Sequence, residues 1–169
     1  YSETLNSNYV DVMKSYLVGK GAIFQSIREI SGLTDIDDLN NKASEELAAV
    51  IIQSPNTYGL LESWEEAHAE LAQINALLIA VSDPITLSVI KPPGACGADI
   101  YIGDGQTLGN PMFYGGPMLG IIATKEKFKR QMPGRITGKT VDSKNRTGFV
   151  LTLQTREQHI RRGKATSNI

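Results

Sequence analysis

Asp83 is the first residue of this chain whose type and position suggest chemistry. It follows closely on the apolar run Ala76-Leu-Leu-Ile-Ala-Val81, where a carboxylate is costly unless it is exposed or paired. One reading is an Asp-Pro turn with a helix cap. The other is a carboxylate that keeps a cofactor ring nitrogen protonated, the role an Asp plays toward pyridoxal phosphate. That role also requires a Schiff-base lysine further along, and past the next apolar segment the chain reads Gly105-Gln106-Thr107 instead. On these residues alone both readings stand.

The segment around Gln106 is the most glycine-dense of the chain, running Gly103-Asp-Gly-Gln-Thr-Leu-Gly109-Asn-Pro-Met-Phe-Tyr-Gly115-Gly-Pro-Met-Leu-Gly120. Glycines this close together, with two prolines among them, suit a backbone that turns sharply or approaches a ligand. The dinucleotide fingerprint is not met, because Leu108 stands where its third glycine is required, and no phosphate-loop lysine pattern occurs. A tight structural loop and a ligand cradle both fit.

The remaining titratable groups are dispersed. His68 is expected on the exposed side of a helix. His159 is crowded by Arg156, Glu157, Arg161 and Arg162, a pattern that fits a solvated or interface helix. Two distant histidines and one cysteine make no metal-ligand set. The basic residues from Lys125 to Arg135 read as a solvated face or as a surface for an acidic partner. A formal net charge of -1 gives no electrostatic reason to expect nucleic acid or an anionic membrane. The single cysteine, Cys96, fits a reducing compartment, and no apolar stretch reaches membrane-spanning length.

Apolar residues at spacings of three and four predict a helix from Asn8 to Val18, closed by Gly19 and Gly21. Ala22 to Ile27 reads as a short β-type segment, and Thr34-Asp35 opens a second helix with an acidic first turn. Leu47 to Gln53, Ala76 to Val81, Ala98 to Ile102 and Leu119 to Thr124 read as strands. A helix is expected from Ser63 to Asn75 and a turn or short helix around Leu87 to Ile90. This alternation predicts an α/β layered domain with a mostly parallel sheet. Ligands of such sheets gather beyond the carboxyl ends of the strands, so the loops at Gln53 to Asn56, Asp83-Pro84 and Gly103 to Gly109 are expected to meet. A basic helix is expected at Lys125 to Arg130. Beyond it come polar loop, with a hairpin as one option, a weak strand at Gly148 to Leu153 and a charged helix from Thr155. At 169 residues and 41% hydrophobic composition one core is affordable. A start at Tyr1 and a stop at Ile169 without cap or polar tail suggest a piece of a longer polypeptide.

Four motifs are specific. Gly103 to Gly109, Tyr114-Gly-Gly-Pro-Met-Leu-Gly120, Gln131-Met-Pro-Gly-Arg135 and Gly148-Phe-Val-Leu-Thr-Leu-Gln-Thr-Arg-Glu-Gln-His-Ile-Arg-Arg162, followed by Lys164-Ala-Thr-Ser-Asn168, closely resemble the glycine decarboxylase P-protein. The match is to its N-terminal half, which in many bacteria and archaea is a separate subunit 1, or alpha subunit. The resemblance covers nearly the whole chain and is densest from Lys91-Pro-Pro-Gly94 onward.

That resemblance implies a three-layer α/β sandwich with a mostly parallel sheet. Residues 1–130 would be part of a fold-type I pyridoxal phosphate transferase-like large domain, and 131–169 a family-specific extension. In that fold a loop Asn, the Asp at the ring nitrogen and the lysine follow in order, and Asn56, Asp83 and Gln106 with Thr107 occupy those stations. Where the beta subunit has His-Lys-Thr, this chain has Gly105-Gln106-Thr107, and glutamine cannot form the imine. The resemblance therefore places no catalytic residue and no covalently bound cofactor in this chain, with pyridoxal phosphate on the partner beta subunit, subunit 2. There the cofactor ring serves as electron sink for decarboxylation of glycine, and the aminomethyl group passes to the lipoyl arm of H-protein.

By the same resemblance, the loop after the lysine station reaches across to the other subunit's cofactor phosphate. Tyr114, Gly115, Gly116 and Pro117 are the candidates for that contact, through backbone N–H groups at the glycines. Arg135, Arg156, His159, Arg161 and Arg162 are candidates for the substrate entrance, the alpha–beta interface or H-protein, which as a class tends to be acidic. Arg156→Ala is expected to lower coupled activity without unfolding the chain. An alternative is a catalytically inert structural subunit that stabilises the beta subunit and docks H-protein. A third option keeps an independent cofactor site on another lysine such as Lys91. A bacterial two-subunit enzyme implies a cytoplasmic location, a eukaryotic relative a mitochondrial one.

Overall fold

The computed structural model describes residues 1–116 and 118–165. The chain forms two compact units, Tyr1–Ala123 and Thr124–Ile169.

In the first unit, helix α1 (Ser7–Leu17) begins at Asn6, whose side chain accepts from Asn8 N at 2.9 Å, a cap that satisfies one of the helix's orphan donors. Past the helix, Gly19 and Gly21 both have positive φ. The expected β-type segment at Ala22 to Ile27 shrinks to one bridge, Ile27 to Ser2. Of that segment Ile27 alone is buried in the core, so little apolar burial supports a longer strand. Strands β1 (Glu29–Ile30) and β2 (Leu33–Thr34) form a minimal antiparallel pair. Helix α2 (Ile36–Lys42) is capped by Asp35, which accepts from Asp38 N at 3.1 Å.

Strands β3 (Ala49–Gln53), β4 (Leu77–Val81), β5 (Ile100–Asp104) and β6 (Gly120–Thr124) make one sheet in the order β3-β4-β5-β6. The first three are parallel, with Val50 opposite Leu78 and Ala80 opposite Tyr101. Helix α3 (Trp64–Leu71) lies between β3 and β4 in sequence and is capped by Ser63 through Glu66 N.

Because successive strand residues point to opposite faces, the sheet has two cores. Val50, Ile52, Leu78 and Ala80 pack with Trp64, Ala67 and Leu71 of α3 and with Leu39 of α2. Val81, with Ile51 and Ile102 partly buried beside it, packs with Leu5, Val10 and Met13 on the other side. Elements cover both faces, the three-layer arrangement a parallel sheet requires. Ile52 and Leu78 are wholly buried, and each such side chain contributes about 1.5–3 kcal/mol relative to exposure. Trp64 Nε1 donates to the Ile52 carbonyl at 3.2 Å, so the indole is satisfied without leaving the core.

His68 is not the solvated residue expected of it. Its ring rests on Gly97, where a Cβ would lie 2.3 Å from the imidazole. Gly97 also has φ +95, so both its conformation and its neighbour require glycine.

In the second unit, β7 (Ile136–Val141) and β8 (Thr147–Thr152) form an antiparallel hairpin with Ile136 opposite Thr152. Asp142 organises its turn, accepting from Lys144 N at 2.8 Å and Arg146 N at 2.9 Å. Its second oxygen accepts from Arg146 Nε at 2.8 Å. These bonds, those from Arg146 foremost, lower the Asp142 pKa. The basic helix expected at Lys125 to Arg130 is a single 3₁₀ turn, Glu126–Phe128. The charged helix expected from Thr155 is the short α4 (Gln158–Arg161) between two 3₁₀ turns. No helix among the described residues is long and apolar enough to cross a membrane.

Candidate functional site

The three loops at the carboxyl ends of β3, β4 and β5 meet in a cleft of about 940 Å³, within the range of small-molecule sites. Gln53 and Pro55 come from the first loop, Ser82, Asp83 and Thr86 from the second, and Gln106, Thr107 and Asn110 from the third. Tyr9 of α1 and Met112 add apolar wall.

Asp83 accepts at Oδ1 from Ile85 N and from Thr107 Oγ1, both at 2.9 Å. The local turn foreseen for Asp83 is thus present, and the same oxygen ties it to Thr107 across the cleft. Thr86 Oγ1 donates to the Asp83 carbonyl at 2.6 Å and pairs with Ser82 Oγ at 2.8 Å. Tyr101 donates its hydroxyl to the Ser82 carbonyl at 3.1 Å. Burial first, and the Asp83 charge second, push the Tyr101 phenol up, so it persists as a donor.

Gln106 lies in the 3₁₀ turn Gly105–Leu108, capped by Asp104, which accepts from Gln106 N at 2.9 Å. Gly116 lies so near that a Cβ there would sit 2.6 Å from Gln106 Nε2 and 2.8 Å from the Pro111 carbonyl. Gly115 and Gly116 have φ of 101 and 71, conformations that glycine alone adopts freely. Tyr114 has φ 43 and is fully exposed. Pro117, the fourth member of the proposed phosphate contact, lies outside the described residues.

Asn56 does not line the cleft. Its Nδ2 donates to the Gly32 carbonyl and to Glu62 Oε1, both at 2.7 Å, and its Oδ1 accepts from Tyr58 N and Leu60 N. Glu62 also accepts from Thr4 Oγ1 at 2.7 Å and Thr34 N at 3.0 Å, and so fixes the loop that carries Pro55 into the cleft. The sequence carried no signal for Glu62, whose partners are up to 58 residues away.

Among the described lining residues there is no lysine, arginine or histidine. Tested against pyridoxal phosphate, the cleft supplies a carboxylate for a ring nitrogen in Asp83. Its described lining supplies no amine for an imine, so the fit fails at the covalent link, and any hold on a phosphate would fall to backbone N–H groups. Lys91 is not on the cleft either; its Nζ donates to Glu65 Oε1 at 2.6 Å, which raises its pKa and keeps it protonated.

In the second unit Arg135 and His159 share a smaller cleft of about 240 Å³ with Thr152, Gln154 and Glu157. Arg161 and Arg162 are exposed. Arg156 and Glu157 are not solvated as expected, being 4% and 6% exposed. Arg156 Nη2 donates to the Gly134 carbonyl. That burial adds a change in stability to what is expected of Arg156→Ala, beside lowered coupled activity without unfolding. Among the described residues no cluster of ligating side chains suits a metal ion.

A family model described as the glycine cleavage system P-protein matches residues 2–169. The chain belongs to that P-protein family. A relative from Desulforamulus reducens, named as probable glycine dehydrogenase (decarboxylating) subunit 1, is 50% identical over 99% of this chain and 38% of its own length. One of the same name from Moorella thermoacetica is 46% identical over the same shares. The chain thus spans 38% of the length of these P-protein relatives.

A crystal structure of glycine decarboxylase (P-protein), in inhibitor-bound form, superposes with a TM-score of 0.91 at 46% identity, over 99% of this chain and 38% of that one. A Thermus thermophilus aspartate aminotransferase mutant matches 61% of this chain and 31% of its own, with a TM-score of 0.50 and 11% identity. That likeness shows the fold alone, an α/β arrangement with a mostly parallel sheet.

Proposed function

We propose that this chain is part of a P-protein subunit 1 that supports decarboxylation of glycine without holding the cofactor itself. The observation that carries this reading is Gln106. It stands in the cleft beside the bonded pair Asp83 and Thr107, and no lysine is among the described residues lining that cleft; this reading takes Gln106 as the lysine station. Pyridoxal phosphate, bound by the partner beta subunit, supplies the electron sink for loss of carbon dioxide; the aminomethyl group then passes to the lipoyl arm of H-protein. In this chain Asp83 and Thr107 lock the degenerate site together. The loop at Tyr114, Gly115 and Gly116 would reach the partner's cofactor phosphate, the two glycines offering backbone N–H groups.

A second reading, an inert subunit that stabilises its partner and docks H-protein, is favoured by the exposure of Met112 at 81%, Phe113 at 73% and Met118 at 78%. So much apolar surface around one loop marks an interaction site. The deciding experiment reduces full-length subunit 1 with borohydride in the presence of pyridoxal phosphate and maps adducts by mass spectrometry. No site-specific adduct is expected. A single dominant adduct, at Lys91 or elsewhere, overturns the proposal. Single-turnover kinetics of Tyr114→Ala in the assembled complex separate the two readings: the first predicts a slower chemical step, the second weaker assembly only.

A further inference from the structure

Arg156 ends the 3₁₀ turn Gln154–Arg156. Its guanidinium has five N–H donors and stays charged throughout the accessible pH range. One nitrogen, Nη2, donates to Gly134; Nε and Nη1 are buried and reach no acceptor among the described residues. Buried polar groups are nearly always matched, and a buried charge without a partner is among the costliest features a fold can carry. Glu157, next in sequence and itself buried, accepts from neither nitrogen. An acceptor from outside these residues accounts for the arrangement.

The surroundings select its chemistry. Arg135, which follows the anchoring Gly134, lines the small cleft with His159 and Gln154. Glu157 lines it too, so that cleft already sets one guanidinium beside one carboxylate, while the buried Arg156, next to Glu157 in sequence, keeps Nε and Nη1 without an acceptor among the described residues. One negative charge matches the buried Arg156 guanidinium, and a second would be repelled by the neighbouring Glu157. We propose that Arg156 is a binding site for a single carboxylate, the planar group that a guanidinium fork matches best. The inference rests on this unit's own geometry and not on where the cofactor sits. The carboxylate has one of two origins. It is a free small-molecule carboxylate, or it is an Asp or Glu side chain from the longer subunit or from its partner.

The test uses full-length subunit 1 assembled with its beta subunit, as natural protein, Arg156→Met and Arg156→Lys. Thermal unfolding is followed with sodium acetate or glycine at constant ionic strength, and across pH. A rise of several degrees with acetate or glycine in the natural complex, smaller in Arg156→Lys and lost in Arg156→Met, supports a free carboxylate. No response to either, with Arg156→Met melting several degrees below the natural protein near neutral pH and the gap closing as carboxylates protonate, supports a side-chain carboxylate. If neither additive has an Arg156-dependent effect and Arg156→Met melts at or above the natural temperature, the proposal fails, because removing an unmatched buried charge stabilises. Should Arg156→Met not assemble, Arg156→Lys decides. Additive and pH responses identical to those of the natural complex then overturn the site, and weakened responses support it.

Discussion

Thr107 Oγ1 donates to Asp83 Oδ1 at 2.9 Å, across 24 residues of sequence. The bond fastens the loop after β5 to the loop after β4, and it does so in the cleft, between two residues of the proposed degenerate site. Thr107→Val keeps the shape and removes the donor. Because the pair is exposed to water, the expected loss is no more than about 1 kcal/mol, read as a small drop in urea midpoint with unchanged slope. A loss several times larger would mean that the cleft's architecture depends on this one contact.

Gln106→Lys places an amine at the proposed lysine station. The expected result is a new borohydride-reducible adduct at position 106, since Asp83 and Thr107 are already adjacent. With no described lysine, arginine or histidine on the cleft, pyridoxal is expected to label as readily as its phosphate. A strong preference for the phosphate would reveal a phosphate cradle in this subunit and shift the cofactor assignment toward it.

Gly97→Ala forces a methyl group into the His68 ring and holds alanine at φ +95. The expected cost is about 2 kcal/mol from overpacking and strain together. His68→Ala in the same chain removes the clash but not the conformational strain, so partial recovery is expected. Full recovery would mean that the left-handed backbone there relaxes freely.

Asp38 accepts from Lys42 Nζ at 2.5 Å and from Arg28 N at 2.8 Å, and these bonds, that to Lys42 foremost, hold its carboxyl below the ordinary range. A depressed folded-state pKa gives stability that is fully present above the unfolded value, about 3.9, and is lost as pH falls through the folded value. Acid titration of stability should therefore show a component below about pH 4 that Asp38→Asn flattens. An unaltered acid limb in Asp38→Asn would assign that component to other carboxylates.

The sheet was legible because its strands bury apolar runs, and the cleft was legible because parallel topology gathers the ends of β3, β4 and β5. The β7–β8 hairpin was only half legible. Ile136-Thr-Gly-Lys-Thr-Val141 has little apolar alternation and its residues are half-buried or exposed, so backbone pairing and the Asp142 turn hold it where side-chain burial does not. His68 against Gly97 and Arg156 against Gly134 escaped the sequence for another reason. Each is a contact over more than twenty residues, made by a polar side chain that local pattern assigns to solvent. Asn56 occupied the expected station in order, yet the structure commits its amide to Gly32, Glu62 and its own turn.

Cys96 sits in the core beneath α3 at 4% exposure, and burial pushes its thiol up. An alkylating reagent can attack only the thiolate of an accessible cysteine, so in the closed fold this sulfur is doubly silent. Its labelling rate therefore acts as a clock for how often the sheet and its helices part, without any introduced probe.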